Sequence, residues 1–117
     1  QLGFSDSEPW LPVGESHADL AVDRQESRGP SLLHFTRDAL KLRRDHLALR
    51  QGSMEIVQSD GDVLVFERAG DGERLRCTFN LSDRPASFRL AGKVVVSTGS
   101  LDGGELGPYS AVIEEIA

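Results

Sequence analysis

From residue 53 onward, apolar and polar positions alternate in short runs. RLRCTFNL sets Leu75, Cys77, Phe79 and Leu81 on one side and Arg74, Arg76, Thr78 and Asn80 on the other, the period of a half-buried strand. MEIVQ, VLVFER, ASFRL, KVVVS and YSAVIEEI read the same way, with Phe88 and Leu90 pointing inward. Turn signals separate the runs. Asp60-Gly61 is a strong hairpin signal, and AGDG, SDRP, Gly92 and TGSLDGGELGP punctuate the rest. Six short strands at regular spacing predict an antiparallel β-sandwich or open barrel over 53–117.

Before the strands the period changes. In residues 30 to 50, Leu32, Leu33, Thr36, Ala39, Leu40, Leu47 and Ala48 recur near every 3.6 residues, with Phe35 and Leu42 widening the stripe. One long helix is expected over 31–51. Pro30 suits its first turn, or Ser31 its cap. Arg43, Arg44 and Arg50 suit its C-terminal end, and Gly52 the C′ position. Leucines at 32, 33, 40, 42, 47 and 49 spread around more of the helix than a small sheet covers.

Residues 1–30 show neither period. They are rich in Gly, Ser, Pro, Asp and Glu, and only LAVDRQ suggests a short extended piece. PWLPV nevertheless packs two prolines, a tryptophan and two aliphatics into five residues. Thirty residues of this kind point to a functional loop, a linker, or a segment that packs against something else.

The chain has 117 residues, 38% hydrophobic and 27% charged. That is one domain's worth of chain with one modest core. No run approaches the roughly 18 apolar residues of a membrane span. The net charge is −6, which argues against a nucleic-acid partner. The one basic cluster, Arg37, Lys41, Arg43, Arg44 and Arg50, is interleaved with Asp38 and Asp45 and reads as a solvated or interface helix face. A lone cysteine, Cys77, cannot form an internal disulfide and gives no sign of an oxidising compartment. No targeting segment is visible and the chain does not begin with methionine. A cytoplasmic location is the expectation, with a periplasmic one left open.

Candidate chemistry is sparse. Cys77 alternates inward and reads as a core residue. His34 and His46 stand twelve apart on one helix and cannot share a metal; His17 lies in the leader. A retaining glycosidase needs two carboxylates about 5 Å apart, but Asp60, Asp62, Asp71, Asp83 and Asp102 all fall in turns. Ser110, beside Tyr109, lacks a nucleophile elbow. GDGE at 70–73 and DGG at 102–104 are hairpin tips without phosphate-loop spacing. No catalytic, cofactor-binding or metal-binding residue is assigned, and no cofactor is expected.

Several motifs together resemble the end of the catalytic barrel in glycoside hydrolase family 13, in its α-glucosidase and oligo-1,6-glucosidase branch. They are Gly3-Phe4-Ser5, Pro9 to Val13, Val22 with Gln25, and the helix from Ser31 through Arg43, closed by Gly52. DGDVLVFERAGDGERLRCTFNLSDRPASF and LGPYSAVIEE resemble the family's C-terminal β-domain. The resemblance implies a C-terminal fragment of a retaining hydrolase: 1–30 a connection after the last barrel strand, 31–51 the last barrel helix, 53–117 an α-amylase-type sandwich. The catalytic carboxylates would lie in an absent (β/α)8 barrel, which would be this chain's partner. α-Glucosides would be met only through that parent. Trp10 and His17 would either line the mouth of its site or, for Trp10, anchor the loop by packing. On its own the chain is expected to be inactive and to self-associate through its helix or leader. The alternatives are a carbohydrate-binding module, disfavoured because Phe66, Phe79 and Phe88 are expected inward, and a small self-sufficient enzyme.

Overall fold

A computed structural model describes residues 6–101 and 103–117. The chain divides into two compact units, with the division between Leu42 and Arg43.

In the first unit, the 3-10 turn Glu15–Ala18 precedes helix α1, Val22–Ser27. The extended piece expected in LAVDRQ is thus corrected to a helix. Its local bonds explain why: Gln25 N–H donates to the Ala21 carbonyl at 3.0 Å and Gln25 Nε2 to the Leu20 carbonyl at 2.6 Å. Arg28 closes the turn on Asp19 at 3.0 Å. The long helix α2 begins at Leu32 and runs to Asp45. Ser31 is its cap: Ser31 Oγ accepts the His34 N–H at 3.4 Å, as an N-cap serine does. Pro30 stands just before it.

The helix expected to run to 51 breaks after Asp45. His46 and Leu47 form a joint, and a short helix α3 follows, Ala48–Gln51. Glu73 holds this joint from the sheet, accepting the Ala48 N–H at 2.9 Å and bonding His46 Nδ1 at 2.8 Å. The Arg43 guanidinium crosses it to the Leu49 carbonyl. Gly52 ends α3 in an extended conformation, φ −67°, ψ 162°. It is therefore no left-handed C′ glycine. A Cβ there would come within 2.5 Å of the Ala48 carbonyl and 2.7 Å of the Ala69 carbonyl, so close packing of α3 on the sheet demands the glycine.

Seven strands follow among the described residues: β1 Ser53–Gln58, β2 Val63–Gly70, β3 Glu73–Asn80, β4 Ala86–Ser87, β5 Lys93–Ser97, β6 Glu105–Leu106 and β7 Ala111–Glu115. Five make an antiparallel sheet in the order β1-β2-β3-β7-β5, and β4 pairs with β6. Gly61 at φ 73° turns the first hairpin. Asp71 at φ 54° and Gly72 at φ 77° make a two-residue turn between β2 and β3, with the positive φ pair that such turns favour. The ASFRL run shrinks to Ala86–Ser87, because its partner strand gives way to the left-handed glycines Gly103 and Gly104.

Register assigns side chains to the sheet's two faces, since directly opposed residues share a face. One face carries the row Ile56, Phe66, Cys77, Ile113 and Val96, and beside it Leu64, Phe79 and Ala111. The other carries Glu55, Glu67, Arg76, Glu114 and Val94, and beside it Val65, Thr78 and Val112. Residues 84–92 and 106–107 lie over this second face. Asn80 Nδ2 donates to the carbonyls of Arg84, Leu106 and Gly107 at 2.6, 3.1 and 2.9 Å. Glu114 Oε1 accepts the Ala91 and Gly92 N–H groups at 2.7 and 3.0 Å.

This corrects the inward–outward reading of β3. Thr78 and Asn80 are buried, while Phe79 is only partly covered. Leu81 and Leu90, expected inward, are exposed, and Phe88 is partly covered. Leu75 and Cys77 are buried as expected.

Candidate functional site

Most of the described residues singled out for chemistry have a structural task. Cys77 is buried beside Arg68 on β2. Burial pushes its thiol up to about 11, the Arg68 charge pulling the other way, so it stays protonated and unreactive near neutral pH. His17 Nδ1 accepts the Gly14 N–H at 3.3 Å. His34 Nδ1 is hydrogen-bonded to Ser31 Oγ at 2.8 Å. His46 pairs with Glu73. The three imidazoles therefore stand apart in three local settings. Among the described residues no group of three or more His, Cys, Asp or Glu side chains is placed to hold a metal ion.

The turn aspartates stay in turns. Asp62 pairs with Arg84 at 3.2 Å and Asp83 lies 3.9 Å from the same guanidinium. Asp71 occupies the left-handed hairpin tip. Asp102 lies outside the described residues, as do Gly3, Phe4 and Ser5. Ser110 is buried, its Oγ donating to the Pro108 carbonyl at 3.0 Å. Tyr109 beside it is exposed at φ 48°.

A shallow depression in the first unit sets Ser31, His34 and Asp38 along one wall with Arg28, Pro30 and Phe35. It has the residue types of a nucleophile–base pair, but Ser31 is spent otherwise. Its Oγ donates to the Gln25 carbonyl at 3.3 Å as well as capping α2. The basic cluster is likewise engaged: Arg37 with Glu26 at 2.7 Å, Arg44 with Asp45 at 3.9 Å.

Two sets of residues mattered more than pattern suggested. Gln25, in the V-x-x-Q segment, also accepts the Leu33 N–H at 2.9 Å. It thereby satisfies a second free donor at the start of α2. That is the physical reason for a glutamine six residues before the capping serine. The second set is Glu67, Asn80 and Glu114. Glu67, nearly buried, takes Arg74 at 3.0 Å and Arg76 at 2.7 Å. Glu114 is fully buried, and its Oε2 has no hydrogen-bond partner among the described residues. Alternation alone carried no signal for these burials, because it marked their face as the polar one.

The apolar side chains of the leader and helix lie open. Trp10 is 91% exposed, Leu32 71% and Leu40 63%. Among the described residues no helix is long and apolar enough to cross a membrane.

The described residues of the sheet unit form a mainly β domain with buried polar pins. Comparison with known proteins places it. Residues 50–113 match the family described as "Domain of unknown function (DUF3459)". The chain belongs to that family, the C-terminal region of glycoside hydrolase family 13 enzymes of α-glucosidase, oligo-1,6-glucosidase and trehalulose synthase type. It is 41% identical over 88 residues to a probable alpha-glucosidase of Rhizobium meliloti (strain 1021), covering 75% of this chain and 16% of that protein. It is 28% identical over 91 residues to probable oligo-1,6-glucosidase 3 of Bacillus subtilis (strain 168), covering 77% and 16%. The trehalulose synthase MutB from Pseudomonas mesoacidophila MX-45 superposes with a TM-score of 0.85 at 26% identity, over 98% of this chain and 23% of that one. The chain thus spans about a sixth of these curated relatives and under a quarter of the solved enzyme.

Proposed function

We propose that this chain is the non-catalytic C-terminal part of a cytoplasmic α-glucosidase-like retaining glycoside hydrolase. Its strands form an α-amylase-type sandwich, residues 31–51 are the last helix of a (β/α)8 barrel, and 1–30 connect that helix to the last barrel strand. Its task is to brace the barrel. The parent hydrolyses terminal α-glucosidic bonds through a glucosyl-enzyme. The observation that carries this reading is a match over nearly the whole chain to enzymes several times longer, in a region whose acidic turn residues stand in ion pairs and hairpin tips.

The parent gene product, assayed on p-nitrophenyl α-glucoside, should turn over, and these 117 residues alone should not. Turnover by the chain alone, surviving purification, would overturn the reading. Alone, the chain should self-associate through its open leader and helix, since large exposed apolar patches rarely stay free. Light scattering that shows a clean monomer at high concentration would refute this. A second reading, a sugar-binding module, draws on exposed Trp10 and Tyr109, the kind of aromatic that sugars stack on. Saturable binding of maltose or isomaltose by the chain would favour it.

A further inference from the structure

We propose that the depression at the start of α2 is a binding site for a neutral, hydroxyl-rich ring, the glucosyl unit of an α-glucoside. Naming an α-glucoside rests on the chain being part of an α-glucosidase-like enzyme; the chemistry of the site does not. The depression has a volume of about 490 Å³, within the roughly 300–1,000 Å³ of small-molecule sites. Its capping serine sets that chemistry. The Ser31 hydroxyl carries one proton, which goes to the Gln25 carbonyl. His34 Nδ1 must then donate to Ser31 Oγ across their 2.8 Å contact, and the neutral ring keeps its acceptor at Nε2. One turn on, four residues along the same side of α2, Asp38 lines the depression too. Its carboxylate has no hydrogen bond or ion pair among the described residues.

Charge and shape select the ligand. Arg28 is neutralised by the Asp19 carboxylate at 3.0 Å, which leaves Asp38 as the uncompensated charge, so a phosphate or other anion is repelled. Nη1 and Nη2 of Arg28 each give one hydrogen bond to Asp19, and the remaining N–H groups of its guanidinium stay free to donate. Acceptors on His34 and Asp38 beside donors on Arg28 suit hydroxyls, which both give and take hydrogen bonds. Phe35, 44% exposed, and Pro30 offer the apolar surface on which the C–H face of a sugar ring rests. The depression is also clear of the apolar stripe of the helix. At about 100° per residue, His34 and Asp38 stand roughly opposite Leu32, Thr36 and Leu40. A neighbour packed on that stripe leaves the depression open.

The test is hydroxyl-radical footprinting of the full-length enzyme, with exposed Tyr109 as the internal standard. Saturating maltose should slow the modification of Phe35 and His34 several-fold relative to Tyr109, and sodium phosphate should not. Asp38→Ala removes a charged acceptor from an exposed position, so the enzyme stays folded, and the maltose concentration for half-protection should rise about tenfold. Absence of protection by maltose overturns the proposal, as does protection by phosphate or tetramethylammonium in its place. Protection unchanged in Asp38→Ala puts the sugar elsewhere and overturns it as well. Phe35 and His34 that react as slowly as buried Leu75 before sugar is added are covered by another part of the enzyme, and that too overturns it. An enzyme without α-glucosidase activity sinks the functional reading instead, and the footprint with maltose still reports whether a sugar occupies this depression.

Discussion

The two faces of the five-stranded sheet solve burial in opposite ways. The face under residues 84–92 and 106–107 buries polar groups and satisfies most of them: Asn80 takes three carbonyls, Glu114 two N–H groups through Oε1 and Glu67 two guanidiniums, while Glu114 Oε2 is left without a partner among the described residues. The other face offers Ile56, Leu64, Phe66, Phe79 and Ile113 and leaves them partly open. Within this chain, then, uniqueness is set on the polar face, where a wrong arrangement strands buried donors and acceptors. The apolar face is non-directional and tolerates change until something covers it.

The sharpest way to break that contrast is Asn80→Ala. It leaves three loop carbonyls and the Ser82 N–H without their partner, and should cost about 3 kcal/mol, measured by urea unfolding of the chain. Phe79→Ala removes a larger side chain but from a half-open site, and should cost about 1–2 kcal/mol. A greater loss from Phe79 than from Asn80 would reverse the comparison.

Acid should loosen the joint between α2 and α3. The Ala48 N–H, then the His46 hydrogen bond and charge, hold the Glu73 carboxyl below the ordinary glutamate value of 4.5, with burial opposing. A folded value below the unfolded one means a contribution fully present above 4.5 and lost as pH falls through the lowered value. Unfolding midpoints of the chain should therefore drop below pH 4.5, and Glu73→Gln should flatten part of that fall. Identical acid profiles for the two would reject this role for Glu73. The smallest effect belongs to Arg84→Ala. Its ion pair with Asp62 is exposed, and its loss should stay within a few tenths of a kcal/mol.

Much of this was legible in sequence. The alternating runs found β1, β2, β3, β5 and β7, and Asp60-Gly61 and Asp71-Gly72 gave their hairpins, because strand period and positive-φ turns are local properties. The family resemblance was carried by motifs whose local bonds are now visible, Gln25 and Ser31 at the start of α2. Other features were illegible. LAVDRQ is helical because Gln25 bonds backward to Leu20 and Ala21. The long helix breaks at His46 because Glu73, 27 positions on, captures it from a hairpin tip. Gly52 does end a helix, but what demands glycine there is its close contact with the Ala48 and Ala69 carbonyls rather than a left-handed conformation.

By itself the sequence determined which segments form strands and helices, where the chain turns, and the family to which it belongs. Only the tertiary structure decided which face of the sheet is interior. Alternation states that two faces differ, and it assigned the interior to Phe79 and Leu81. The long-range bonds from Asn80 and Glu114 drew residues 84–92 and 106–107 over the other face. Side-chain polarity is a property of the residue, whereas burial is a property of what lies above it.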